Sequence, residues 1–229
     1  MSDALEALRG GLVVSVQAPE GSPLAASSQL AAMARAAEAG GAAGIRAQDV
    51  AAVKEAVGLP VIGLRKRRVE GSEVYITPAL EDARAVAAAG ADVVAVDATL
   101  RPRPGGVTDE RFLRELASEL DVPVLADVDS LEAGRAAREA GAAAVATTLA
   151  GYTDAPAVSG GPDLALVAAL AAELDCPVLA EGRIATPDQA RAAFEAGAFA
   201  VVVGTAITDA VALTRRFAAA APRSLHAAR

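Results

Sequence analysis

The phrase Ala-Gly, a small residue and an apolar run occurs four times, at Ala39-Gly40, Ala89-Gly90, Ala140-Gly141 and Ala196-Gly197. Each copy follows an alanine-rich segment of helical period and leads into a strand-like run: GAAGIRA, ADVVAVDAT, AAAVATTLAG and AFAVVVGTAIT. The four glycines stand where a helix C-terminus needs a left-handed residue. A second phrase, Pro followed by an apolar run, occurs at Pro60, Pro123 and Pro177, and with GLVVSVQ at 11–17 these runs interleave with the first four. Internal repetition of this kind dictates architecture before any single residue does. It predicts eight strands near 11–17, 42–47, 61–66, 92–97, 123–128, 143–148, 177–182 and 199–204. Helices are expected between them near 27–39, 48–57, 79–89, 108–120, 130–140, 163–174, 187–196 and 209–220. The strand runs are almost continuously apolar, as parallel strands covered on both faces require. Eight strand–helix units in 229 residues match a single α/β domain, a (β/α)₈ TIM barrel, with residues 221–229 left as a frayed tail. A doubly wound open sheet would carry a G-x-G-x-x-G turn after its first strand, and SVQAPEGSPL lacks one.

Composition narrows the chemistry. The formal charge of −8 argues against nucleic acid or an anionic membrane as the main partner, while leaving room for a small phosphate in a local positive pocket. The acidic start MSDALEALRG has no signal-peptide core, and no apolar run reaches a membrane span, so a cytoplasmic protein is expected. The one cysteine, Cys176, precedes Pro177 and reads as a buried structural thiol at the bottom of the barrel. The one histidine, His226, falls in the tail, so histidine-ligated zinc, a Ser-His-Asp triad and a Cys-His dyad are all disfavoured. Proton transfer then falls to carboxylates, lysine or tyrosine.

A barrel of this kind builds its active site where strands end and βα loops begin. The residues that break the apolar runs there are Gln17, Arg46, Lys66, Asp97, Asp127, Thr147-Thr148, Glu181-Gly182-Arg183 and Gly204-Thr205. Lys66 lies in Arg65-Lys66-Arg67-Arg68, where like charge and partial burial favour a neutral amine; Arg67 and Arg68 themselves read as a solvated basic loop. Glu181 directly follows PVLA, a costly place for a carboxylate without a partner or a task. Gly182, Arg183, Gly204 and Thr205 end the last two strands, whose loops often hold phosphate. RPRPGG at 101–106 reads as a stiff, extended loop over the mouth, either linker or substrate contact. Asp97, Asp127 and Glu181 show no short pairing that would favour a metal, so neither metal nor cofactor is expected. Read from the residues alone, this is a phosphate-anchored small-molecule barrel suited to proton abstraction beside a carbonyl.

These residues resemble the bacterial N-acetylmannosamine-6-phosphate 2-epimerases, which belong to the ribulose-phosphate-binding type of barrel. The resemblance rests on GGLVVSVQ (10–17), AGGAAGIRA (39–47), VIGLRKR with SEVYITP (61–78), AGADVVAVDATLRPRP (89–104), TTLAGYT (147–153), VLAEGRIATPDQA (178–190) and VVVGTAIT (201–208). It implies an isomerase of sialic acid catabolism that inverts C2 of the open-chain sugar phosphate through an enolate, without a redox cofactor. Lys66 corresponds to the lysine of the family's IGxxKR motif and Glu181 to the glutamate of AEGR; they would exchange the proton on opposite faces. Gln17, Arg46 and Asp127 match positions that line the sugar, while Gly182, Arg183 and Gly204, with Thr205, lie toward the phosphate. The chain departs from the family's pattern at Arg68, where an aspartate is usual, in ADVDS in place of ADCST, and at Asp209, where an arginine usually helps to hold phosphate. Two other readings stay open: a related barrel acting on a different or unphosphorylated N-acetylhexosamine, and a degenerate sugar-phosphate-binding barrel. A homodimer is expected because barrels often pair.

Overall fold

The computed structural model describes residues 1–18, 21–153 and 160–221. Its chain order is α1 (Asp3–Glu6), β1 (Leu12–Val16), α2 (Ser27–Ala39), β2 (Gly44–Ala47), α3 (Val50–Ala56), β3 (Val61–Gly63), α4 (Leu80–Ala88) and β4 (Val93–Asp97), followed by a 3₁₀ turn at Pro104–Gly106. It continues with α5 (Asp109–Glu119), β5 (Val124–Asp127), α6 (Leu131–Glu139), β6 (Ala144–Ala146), α7 (Leu164–Glu173), β7 (Val178–Glu181), α8 (Pro187–Glu195), β8 (Ala200–Val203), α9 (Thr205–Thr208) and α10 (Ala210–Ala220). The eight strands are all parallel and close into a barrel in sequence order, β8 returning to β1 through Leu12↔Val201, Val13↔Val202 and Val14↔Val203. The expected tail, His226 included, lies outside the described residues except for Ala221.

Side chains alternate along each strand, and this alternation sets up the site. On β4, Val93 and Ala95 enter the cluster inside the barrel, while Val94 and Val96 pack outward under the helices. The inward set also holds Val13, Ile62, Leu125, Ala144, Ala146, Leu179, Ala200 and Val202. Leu5 and Leu8 of the α1 segment, which the repeat pattern did not announce, complete this cluster. Gly44 allows their approach, since a Cβ there would stand 2.4 Å from a Leu8 methyl.

Helix ends explain the repeated glycines, with one correction. Gly90, Gly141 and Gly197 take φ of +96°, +106° and +100°, but in the first copy the left-handed residue is Gly41 (+89°), not Gly40 (−78°). Helix α2 keeps its last turn one residue longer, so Gly40 occupies the position that Ala89, Ala140 and Ala196 hold elsewhere. The N–H of Ala42, Ala91, Ala142 and Ala198 then reaches back to the carbonyl of Ala37, Val86, Ala137 and Ala193, the six-to-one bond of a Schellman motif.

Three further expectations change. Strand β3 stops at Gly63 rather than near Lys66, because the chain leaves the barrel there as a hairpin arm. RPRPGG is not an extended strap: Pro104–Gly106 form a 3₁₀ turn and Arg103 is buried. Cys176 lies at the bottom end as expected, but it is only half-buried. It lines a cavity of about 760 Å³ with Arg9, Arg138 and Phe199, at the opposite end from the strand-end residues.

Candidate active site

Continuing each strand's inward parity to its C-terminal end brings Gln17, Arg46, Asp97, Asp127, Thr148, Glu181 and Gly204 to one mouth. The centre is Arg46, whose side chain is 1% exposed. Its Nη1 and Nη2 donate to Asp127 Oδ1 and Oδ2 at 2.9 and 2.5 Å, a two-pronged pair between β2 and β5. The same Nη1 stands 3.0 Å from Glu181 Oε2. Thr148 Oγ1 lies 2.5 Å from Asp127 Oδ1 and 3.1 Å from Glu181 Oε2, linking the two carboxylates. Burial acts to lower the Arg46 pKa, but the two carboxylates outweigh it and hold the guanidinium above its ordinary value.

Glu181 is treated differently by the same surroundings. Burial pushes its carboxyl pKa up, and the negative charge of Asp127 adds to that, while Arg46, Thr148 and Lys66 pull the other way. The net effect leaves it readier to carry a proton than an ordinary glutamate. Lys66 is shifted in the complementary sense: although the residue stays exposed at the rim, partial loss of hydration of its amine and the charge of Arg46 lower its pKa, against the pull of Glu181 and Asp127. The chain has two lysines, and they differ. Lys54 pairs with Asp92 at 2.8 Å, whereas among the described residues no carboxylate lies within ion-pair distance of Lys66.

Lys66 reaches the mouth on the arm after β3. Arg67 N–H donates to Tyr75 O at 2.9 Å, Thr77 N–H to Arg65 O at 2.6 Å, and Lys66 bridges Ile76 in an antiparallel pair. Its own N–H donates to Gln48 Oε1 at 3.0 Å. Arg67 is not a free solvated charge, for its Nη2 lies 2.5 Å from Asp82 Oδ2, on a carboxylate that is 1% exposed. Arg68 stays exposed, with its guanidinium 5.5 Å from the centre of the Tyr75 ring. Tyr75 itself is a site residue that strand-end reading missed. Burial and the charges of Asp127 and Asp97 raise its phenol pKa. No periodicity could locate it, because it arrives on the return limb of the arm. Arg101 is another: its Nη2 donates to Asp97 Oδ2 at 2.9 Å.

Gln17 donates to Ser15 Oγ at 2.8 Å, and its Oε1, like Arg46 Nε, is buried without a hydrogen-bond partner. A spare acceptor and a spare donor suit a polar ligand at the mouth. Gly182 (φ +106°) and Arg183 (φ +56°) turn the chain sharply after β7. Arg183 Nε donates to Gly161 O at 2.8 Å and Nη1 to Ala150 O at 2.5 Å, so this guanidinium links the segment after β6 to the one before α7. Gly204 precedes α9, and Thr205 opens it. Asp209, where the resemblance has an arginine, accepts from Ala212 N–H at 2.9 Å and caps α10. Asp127 and Glu181 face Arg46, and Asp97 faces Arg101; no cluster of three or more His, Cys, Asp or Glu that could hold a metal occurs among the described residues.

A closed (β/α)₈ barrel whose mouth joins a lysine lowered toward the free amine, a glutamate raised toward the protonated acid and a fixed arginine–aspartate pair defines an acid–base barrel enzyme. The family described as "Putative N-acetylmannosamine-6-phosphate epimerase" matches residues 30–223. The chain belongs to this family. A relative from Caldanaerobacter subterraneus subsp. tengcongensis, named "Putative N-acetylmannosamine-6-phosphate 2-epimerase", is 47% identical over 219 residues, covering 94% of this chain and 92% of its own. One of the same name from Cutibacterium acnes is 50% identical over 218 residues, covering 93% and 94%. Among solved structures, the N-acetylmannosamine-6-phosphate 2-epimerase from Clostridium perfringens superposes with a TM-score of 0.91 at 37% identity, covering 96% of this chain and 97% of that one.

Proposed function

We propose that this protein is an isomerase of amino-sugar metabolism that interconverts N-acetylmannosamine-6-phosphate and N-acetylglucosamine-6-phosphate. The observation that carries this reading is geometric: Glu181 lies 3.0 Å from the Arg46 guanidinium that Asp127 holds, at the mouth Lys66 enters, and these surroundings favour the free amine on Lys66 and the protonated acid on Glu181. In the open-chain sugar, C2 is bonded to the C1 aldehyde carbon. One group breaks the C2–H bond as base, and the electron pair moves into a C1–C2 enolate whose negative charge rests on O1. The other group returns a proton to the opposite face of C2, and the aldehyde re-forms with C2 inverted. Lys66 as free amine and Glu181 as protonated acid serve one direction; their conjugate forms serve the reverse. Arg46, fixed by Asp127, keeps the Glu181 carboxylate in place beside a positive charge. Gln17 offers its free acceptor to the sugar, while the turns at Gly182-Arg183 and Gly204-Thr205 receive the phosphate.

Proton NMR in D₂O tests the reaction and both groups. The wild type is expected to turn N-acetylmannosamine-6-phosphate into N-acetylglucosamine-6-phosphate carrying deuterium at C2. Lys66→Met and Glu181→Gln should each slow inversion by about 10²–10⁴-fold. Glu181→Gln should still exchange the C2 proton of the epimer that Lys66 serves, without inverting it. Wild-type inversion in Glu181→Gln would remove Glu181 from the proton relay, and wild-type inversion in Lys66→Met would remove Lys66.

The same reading places the protein in the cytoplasm as a homodimer. No helix among the described residues is long and apolar enough to cross a membrane. Pairing is supported by α10, which buries none of its residues and leaves Phe217 78% exposed.

A further inference from the structure

We propose that Arg103, a buried side chain that contacts neither Lys66 nor Glu181, is a positioning residue that holds Lys66 at the mouth by locking the hinge of its arm to the end of β4. This rests on the reading of Lys66 as a base. The arm leaves the barrel after Gly63 and returns at Thr77-Pro78. Its return limb lies along β4, where Asp97 N–H donates to Ile76 O at 3.0 Å and Thr77 Oγ1 to Ala95 O at 2.7 Å. Thr77 is β-branched, fully buried and at φ +47°, a backbone state that such a residue holds only when its surroundings impose it.

Arg103 is what surrounds that hinge. Its Nη1 donates to Thr77 O at 3.5 Å and Pro78 O at 3.2 Å, its Nη2 to Asp97 O, and its Nε to Asp109 Oδ1 at 2.7 Å. Its guanidinium carbon also stands 3.7 Å from the centre of the Phe112 ring. Among the described residues, Arg103 is the side chain that bonds both the hinge of the arm and the last residue of β4. Its fork is fixed in turn by a helix, since Asp109 opens α5 and accepts from Leu100 N–H at 2.7 Å as well. The outgoing limb has its own anchor, Arg67 on Asp82 of α4, but that contact does not reach the strand. With Arg103 weakened, the arm can move, and Lys66 moves with it. A lysine displaced from its place beside Arg46 on β2, Glu181 on β7 and Asp127 on β5 becomes more fully hydrated than it already is at the exposed rim and loses the charge of Arg46. Fewer free amines are then present at neutral pH, and those present are misaimed.

The test uses Arg103→Lys, which keeps the charge and loses the planar fork. It also uses Arg103→Met with Asp109→Leu, which removes the buried pair without leaving either charge buried alone. In each folded variant, kcat on N-acetylmannosamine-6-phosphate should fall by about 10–100-fold with KM changed by less than about twofold. Mass-spectrometric acylation of Lys66 against pH, with Lys54 as internal reference, should show its titration moved upward toward the ordinary lysine range. The labelling needs no turnover, so it separates this proposal from the assignment of the base, which Lys66→Met tests by itself. A variant with wild-type kcat and an unmoved Lys66 titration overturns the positioning role. So does a loss of activity matched by the loss of folded protein, with Lys66 titrating as in the wild type.

Discussion

Arg46 and Asp97 are both buried charges at the end of a barrel strand, yet their surroundings act on them in opposite ways. Arg46 faces two carboxylates, so its charge is stabilised despite burial. Asp97 is fully buried, and burial pushes its pKa up to about 6 even though Thr99 and Arg101 favour the charged form. Since an unfolded aspartate titrates near 3.9, the folded protein binds the extra proton more tightly between about pH 4 and 6. The stability that comes from neutral Asp97 is therefore complete below about pH 4 and is lost as pH rises through about 6. Compared with Asp97→Asn, the wild type should lose up to about 3 kcal/mol of relative stability from pH 4 to pH 7, read from urea unfolding. A difference that stays flat or grows with pH would contradict the shift. At this scale much of the site was legible: Gln17, Arg46, Asp127 and Glu181 each interrupt an apolar run with the inward parity of their strand. Tyr75 was not, and the loop expected over the mouth at 101–106 gave no sign that Arg101 and Arg103 turn back onto Asp97, because loop paths decide such contacts and no repeat encodes a path.

Strand–helix units were legible almost to the residue where a period and a terminator agree, as in α2, expected and found at 27–39. They failed where a short polar segment adds structure of its own. The run after Val61 looks like strand through Lys66, but after Leu64, which still bonds Ala47 O, Arg65 and Lys66 pair with 76–77 instead of with a barrel neighbour. Helix α9 is a single turn between β8 and α10, too short for any period to show. The Gly40-Gly41 pair shows how a one-residue shift escapes a repeat: the phrase Ala-Gly is present, yet the second glycine carries the left-handed turn. This yields a paired prediction. Gly40→Ala places alanine where three other repeats already have it, and by stiffening the unfolded chain it should be neutral or stabilise by up to about 1 kcal/mol. Gly41→Ala forces a side chain into φ +89° and should cost about 1 kcal/mol or more, although no atom lies within 4 Å of its Cβ. Thermal or urea unfolding of the two variants checks the order, and equal effects would mean that the strain is relieved by the helix end shifting.

The whole molecule separates its two ends. Leu5 and Leu8 close the bottom of the barrel with apolar contacts, while the top gathers its buried charges, as barrels divide stability from chemistry. One element fits neither end. Helices α1 to α9 each bury at least one residue, but α10, with the sequence AVALTRRFAAA, buries none. Phe217 on α10 is 78% exposed and Ile207 just before it is 47% exposed. An eleven-residue helix with so little of its own surface covered is marginal in isolation, since helices in proteins are held mainly by the apolar face they bury. A second copy of the chain offers the same helix and the same exposed side chains, and a two-fold axis lets each cover the other. Light scattering on a chain of 22.8 kDa should therefore give twice that mass at micromolar concentration. Phe217→Glu puts a charge into the apolar contact and should return the mass to that of one chain, with the far-ultraviolet circular dichroism of the barrel retained. A wild-type chain that scatters as a monomer at tens of micromolar would overturn the pairing, and so would a Phe217→Glu variant that stays dimeric.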